Sequence, residues 1–278
     1  MLSYRHSFHA GNFADVLKHI VLVEILEYLT RKDKAFTYID THAGAGLYDL
    51  QSDHATKLNE ATGGFKKLEA EDWPELETYF EVIQRHNATD SYSQYPGSPL
   101  FAQQVLREQD RARLFELHPT DYEILSQVFE KDRRFTIEPM DGYRGLLSQL
   151  PPSSRRGLIL IDPSYEVKSD YETVIQTIRK AHRIFETGTY ALWYPVVQRE
   201  RIDLLETQLM KSGIRNIQQY ELGLSPDSEE RGMTASGMIL INPPWVLMDK
   251  MNQILPRLVE TLGKDSGAFC KSEVLVGE

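Results

Sequence analysis

Between residues 35 and 194, short apolar runs alternate with longer stretches of helical period, and this alternation limits the possible folds more than any other feature. Residues 35–41, 112–117, 134–138, 158–161 and 189–194 read as strands, and 100–106, 122–129, 143–150 and 171–184 as helices between them. Strand–helix–strand units close as right-handed crossovers, so a mostly parallel sheet covered on both faces is expected. Upstream, Phe13, Val16, Leu17, Ile20 and Val23 recur at helical spacing behind Asn12, a good N-cap, and that helix should end near residues 31–32. Downstream, a helix over 202–210 precedes two strands, 214–222 and 233–241, with only a loop between them. That pair predicts an antiparallel hairpin at a sheet edge. A last helix over 246–262 is expected to close the fold. Residues 47–97 break the rhythm and are expected to be a mainly helical insertion within one domain spanning 1–278, because a structureless loop of that length is improbable in a compact domain.

Five parallel strands followed by a terminal hairpin resemble the seven-stranded, mostly parallel sheet of class I, Rossmann-like methyltransferases. Charge narrows the partners. Lys and Arg number 31 against 41 Asp and Glu, a net charge of −10, which disfavours a protein that coats nucleic acid non-specifically. It leaves room for an enzyme touching nucleic acid over a small patch. The longest mostly apolar stretch, 20–29, carries Glu24 and Glu27 and is too short for a bilayer. The single cysteine, Cys270, has no intrachain partner, and a cytoplasmic protein is expected.

Ligands of open parallel sheets sit beyond the C-terminal strand ends. After the first strand comes Asp40-Thr-His-Ala-Gly-Ala-Gly46, where Gly44 and Gly46 permit a tight turn and close ligand approach, or simply a tight turn. The third glycine of a dinucleotide fingerprint is absent. Glu116 ends the second strand, where a carboxylate can accept both ribose hydroxyls of a nucleoside. Asp141-Gly142 follows the third; there an acid can accept an adenine amino group, although Asp-Gly is also a common turn.

The decisive segment is Asp162-Pro-Ser-Tyr165, which resembles the Asp/Asn-Pro-Pro-Tyr/Phe motif of amino-directed, S-adenosylmethionine-dependent methyltransferases. An exocyclic amine on a base is a poor nucleophile because its lone pair is delocalised into the ring. The Asp162 carboxylate and the Pro163 carbonyl, both acceptors, can hold its two N–H groups and turn the lone pair toward a methyl donor, while Tyr165 stacks on the base. Asn242-Pro-Pro-Trp245 also looks like the motif, but it ends an antiparallel strand and so points away from the ligand edge. Near the N-terminus, His6 and His9 lack a matched carboxylate for a metal site. Asp15, Lys18 and His19 share one helical face, either solvated or turned into the cleft.

Several longer pieces resemble the RlmJ-type 23S ribosomal RNA adenine-N6 methyltransferases over nearly the whole chain. They are Met1-Leu-Ser-Tyr-Arg-His-Ser-Phe-His-Ala-Gly-Asn12, Ala14-Asp-Val-Leu-Lys-His19, Thr41-His-Ala-Gly-Ala-Gly46, Tyr95-Pro-Gly-Ser-Pro99, Phe115-Glu-Leu-His-Pro119, Asp141-Gly-Tyr143 and Met238-Ile-Leu-Ile-Asn-Pro-Pro-Trp245. The resemblance implies a class I fold with a helical insertion, acting as a monomer on 23S RNA. It implies that S-adenosylmethionine contacts His19, His42, Ser98, Glu116, Asp141, Gly142 and Asp162. Asp162 would be the catalytic acceptor, with Tyr4, His6 and Lys18 serving the target adenine or the ordering of the N-terminal segment. Ser164 departs from the family's second proline, and Phe13 from a common histidine. Rival readings are a methyltransferase for DNA adenine or protein glutamine, and a non-catalytic RNA-binding or cofactor-sensing protein. Arg144, Arg155 and Arg156, near the active edge, are candidate phosphate contacts, with a solvated surface as the favoured alternative.

Overall fold

The first long element, helix α1 (Phe13–Thr30), begins where the Asn12 side chain accepts the backbone N–H groups of Ala14 and Asp15. The structure, a computed structural model, describes residues 6–52, 55, 57, 59–87, 92–167, 169–228 and 232–278. Every residue of α1 from Phe13 to Leu26 is buried, so it is a core helix with no solvated face. Asp15, Lys18 and His19 accordingly lie inside the protein.

Strands β1 (Thr37–Asp40), β4 (Arg111–Phe115), β5 (Phe135–Glu138), β6 (Gly157–Ile161) and β7 (Thr189–Val196) pair in parallel. They follow the order β5-β4-β1-β6-β7, so the chain leaves β1 toward one edge and returns to its other side at β6. The crevice between the ends of β1 and β6 is the switch point at which such sheets bind ligands. Next to β7 the sheet continues with β9 (Ala235–Ile241), β8 (Ile217–Gly223) and β10 (Phe269–Val276), all paired antiparallel to their neighbours.

The main sheet therefore has eight strands, not seven. The expected hairpin is β8–β9, but its outer side is covered by β10, which follows the helix read as the last element. One face of the sheet carries α1, α3 (Ser98–Val105), α4 (Pro119–Val128) and α8 (Leu247–Leu262); the other carries α5 (Gly142–Ser148), α6 (Asp170–Ile184) and α7 (Arg199–Met210). Tyr190 pairs with Ile241, so Asn242-Pro-Pro-Trp245 lies beside the start of β7, at the end of the sheet opposite the crevice. The Asn242 amide there donates to the carbonyls of Glu186 and Gly188.

Residues 47–97 open and close with a two-stranded antiparallel sheet, β2 (Leu47–Asp49) and β3 (Gln94–Pro96). The described residues between them include short 3₁₀ turns and the helix α2 (Glu77–Arg85). This segment braces the start of α1: Phe65 N–H donates to the Gly11 carbonyl at 3.0 Å, and Glu60 accepts from Asn12 at 2.9 Å. Because α1 is enclosed, truncating a wholly buried residue in it leaves a cavity that cannot refill with water. Leu22→Ala should destabilise the protein by about 2–5 kcal/mol, read as a lower denaturant midpoint at an unchanged m value.

Candidate active site

A single buried ammonium organises the crevice. Lys18 Nζ lies 2.8 Å from Asp15 Oδ1 and 2.6 Å from Asp162 Oδ2, joining helix α1 to the exit of β6. Asp15 Oδ2 in turn accepts the Gly11 N–H at 2.8 Å and faces His6 Nε2 at 2.9 Å. Burial alone would raise the Asp15 carboxyl, but the charges of His6 and Lys18 outweigh it and hold the group well below the usual carboxylate range. Burial alone would likewise lower the Lys18 ammonium, yet Asp15 and Asp162 raise it above its ordinary value. The ion pairs thus compensate for the desolvation of all three side chains.

Two cavities meet at this network. The first, about 380 Å³, opens between the ends of β1, β4, β5 and β6. Among the residues expected from sequence it is lined by His19, His42, Gly44, Ser98, Glu116, Asp141, Gly142, Asp162 and Pro163, together with His6 and Lys18. The second, about 510 Å³, has an aromatic wall of Tyr165, Tyr171 and Trp193 and shares His6, Lys18, Asp162 and Ser164 with the first. Asp162 therefore stands at the partition, while Tyr165 faces only the second space. Tyr4 lies outside the described residues.

Around the first cavity the polar groups are held in place from behind. Glu116 accepts backbone N–H groups from Gly44 at 2.8 Å and His118 at 2.6 Å, and burial, outweighing these bonds, raises its carboxyl. The Asp141 side chain caps α5 through the Arg144 N–H. His42 is driven down to about 4 by burial, despite the nearby carboxylates of Asp162 and Asp141. His19 is also pushed well below its ordinary value by burial. Its Nδ1 meets the Tyr95 hydroxyl at 2.9 Å and its ring stacks on Phe101, but among the described residues its buried Nε2 has no partner. The buried Tyr143 hydroxyl, on the same cavity, is likewise unpartnered among them. Unsatisfied buried groups facing a cavity are the mark of a ligand site.

Sequence reasoning missed Asp40, Tyr143, Tyr171 and Trp193. Asp40, wholly buried at the end of β1, accepts hydrogen bonds from Tyr38 and Ser98, each at 2.7 Å; burial, outweighing both, raises its carboxyl. Its position directly before the glycine turn was the available signal. Gly142 is required for a reason internal to the chain: a Cβ there would lie 1.8 Å from the Thr41 carbonyl oxygen. Tyr165 adopts φ +53°, and its hydroxyl donates to the Trp193 carbonyl at 2.8 Å, which fixes the strained turn. Two of the three arginine candidates must be corrected. Arg155 and Arg156 precede β6 and so lie at the opposite end of the strand from Asp162, and Arg156 donates to the carbonyls of Lys34 and Leu29. Arg144 is on α5 beside the crevice and exposed.

The folded protein takes up protons on His42 less readily than the unfolded chain, whose imidazoles titrate near pH 6.5. The sign is therefore fixed: this contribution to stability is complete above about pH 6.5 and is lost as pH falls toward 4, by up to about 1.4 kcal/mol per proton per pH unit. His42→Asn should lose less stability than the parent between pH 7 and 5 in urea titrations; an equally steep loss would contradict this account of His42.

Comparison with known proteins places the sequence among relatives. The family model described as ribosomal RNA large subunit methyltransferase D, RlmJ, matches residues 33–274. The chain is 54% identical over 260 residues to the ribosomal RNA large subunit methyltransferase J of Escherichia coli K12, covering 93% of each chain. It is 50% identical over 265 residues to the protein of that name from Haemophilus influenzae Rd, covering 94% of each. A crystal structure from Legionella pneumophila Philadelphia 1 matches with a TM-score of 0.90 at 38% identity, over 96% of this chain and 98% of that one.

Proposed function

The chain belongs to the RlmJ family of ribosomal RNA large subunit methyltransferases, and on that premise we propose that it transfers a methyl group from S-adenosylmethionine to N6 of an adenine in 23S ribosomal RNA. The observation that carries this reading is Asp162 at the partition between a polar, nucleoside-sized cavity and an aromatic-walled one. The first cavity suits the cofactor: Glu116 faces it where ribose hydroxyls need an acceptor, Asp141 where an adenine amino group does, and the unpartnered His19 Nε2 and Tyr143 hydroxyl offer further contacts. His42, Gly44, Ser98 and Gly142 form the rest of the cofactor wall. Bound there, S-adenosylmethionine supplies an electrophilic methyl on a sulfonium.

The chain's own residues do the remaining work. The target base, turned out of its strand, packs in the second cavity against Tyr165. Its amine donates one N–H to Asp162 and the other to the Pro163 carbonyl, so that the nitrogen lone pair faces the methyl. Lys18 engages Asp162 Oδ2 and so orients the carboxylate, with Oδ1 turned to the amine. As the N–C bond formed, the sulfonium S–CH3 bond would break with its electron pair left on sulfur, giving S-adenosylhomocysteine, and the proton shed by the nitrogen would pass to Asp162, an acceptor within reach. His6 and Tyr4 help to seat the base through the N-terminal segment. Residues 47–97 act as an insertion within one domain, whose Glu60 and Phe65 brace that segment. We take the protein to work as a monomer in the cytoplasm; among its described residues no helix is long and apolar enough to cross a membrane.

Asp162→Asn and Asp162→Ala should lower kcat by about 10²–10³ or more while the fold and S-adenosylhomocysteine binding persist. The measurement is tritiated-methyl transfer to 23S transcripts, with DNA and protein acceptors alongside and N6-methyladenosine identified after digestion. Undiminished transfer by either variant refutes the role of Asp162; label in DNA without label in RNA refutes the substrate.

A further inference from the structure

An acidic enzyme that acts on RNA must meet its polyanion with a few well-placed cations, and the second cavity holds one that is uncommitted. Of the cations lining it, Lys18 is taken up by Asp15 and Asp162, His6 by Asp15, and His9 by Glu60. Arg201 differs. Its guanidinium carbon lies 5.7 Å from the centre of the Tyr171 ring, and among the described residues its side chain has no carboxylate or carbonyl partner. Arg199, two residues earlier, is by contrast fully engaged by Glu221 and Asp227.

Arg201 also ends a ladder of flat groups. Trp193 and Tyr165 have ring centres 6.0 Å apart, Tyr165 and Tyr171 4.4 Å, and the Arg201 guanidinium covers Tyr171. The ladder runs from beside Lys18, whose Nζ is 5.9 Å from the Trp193 ring centre, to a residue that is only half-buried. A guanidinium stacked on an aromatic face keeps its N–H donors in its own plane, free to fork onto an oxyanion.

We propose that Arg201, lying over the Tyr171 ring, is a phosphodiester-binding residue that holds the backbone of the RNA segment whose adenine occupies the second cavity. This rests on the functional reading given above and extends it to the strand around the target. The negative charge of Glu60 on the same cavity does not oppose it, since His9 and Asn12 already occupy that carboxylate.

The test is a steady-state comparison of the full-length protein with Arg201→Gln and Arg201→Lys on a 23S transcript, across about 50–200 mM salt. S-adenosylhomocysteine affinity and melting temperature serve as controls. For Arg201→Gln we expect KM for RNA to rise about tenfold, kcat at saturating RNA to stay within about threefold, and the slope of log KM against log salt to fall by about one. Arg201→Lys should keep the salt slope and recover part of the affinity. An unchanged KM and slope in Arg201→Gln, with the parent enzyme active, overturns the role of Arg201 and leaves the methyltransferase reading standing. A KM rise accompanied by lost cofactor affinity or a lowered melting temperature, with the slope unchanged, also overturns it. Failure of the parent to methylate any RNA overturns the functional reading and this one with it.

Discussion

The ammonium of Lys18 between the carboxylates of Asp15 and Asp162 is the constraint on which the rest of the site depends. Stripping water from a charged group costs several kcal/mol; the two carboxylates offset that cost for Lys18, and Lys18, His6 and the Gly11 N–H offset it for Asp15. The triad therefore has one acceptable geometry, with α1 pressed against the exit of β6. That geometry is set from both ends. The Asn12 cap and the Gly11 N–H fix where α1 begins, and parallel pairing of β6 with β1 and β7 fixes where Asp162 emerges. The two cavities are the spaces left on either side of the join, which is why one carboxylate can face both.

The parallel part of the sheet was legible because its strands are short, have apolar centres and alternate with helices; β6, Gly157–Ile161, is apolar and buried at every position. Strand β10 was not. Its residues include Lys271, Ser272 and Glu273, and it lies on the sheet edge, where one side of the strand meets solvent and little apolar patterning is needed. The first cavity was legible from the strand ends, since topology alone says which turns converge. Its partner was not, because Tyr171 and Trp193 belong to no local motif and only the fold brings them beside Tyr165. Charged residues were ambiguous. Asp15 and Lys18 had the spacing of a face either solvated or turned into the cleft, and the second alternative holds. Arg155 and Arg156 lie close in sequence to Asp162 but a full strand length from it, because β6 runs between them.

The acidity of the chain and an RNA substrate are reconciled at the same join. Surface charge repels nucleic acid at large, while the cations that matter are few and sit at cavity mouths, where stacking and shape add to charge. On the proposed reading, selectivity comes from a site shaped for a base freed from its stack, in place of a basic surface that would hold any strand.

Helix α1 has one more consequence, for the order of events during synthesis. It precedes the strands of the main sheet, yet its surroundings include β9 and α8, more than 200 residues downstream, where Lys250 hydrogen-bonds to Glu24. Helices α2 and α3 cover part of α1 early, but the side that faces β9 and α8 is enclosed only when those elements have been made. The burial that the Lys18 network needs is thus completed by parts of the chain far from the helix that carries it.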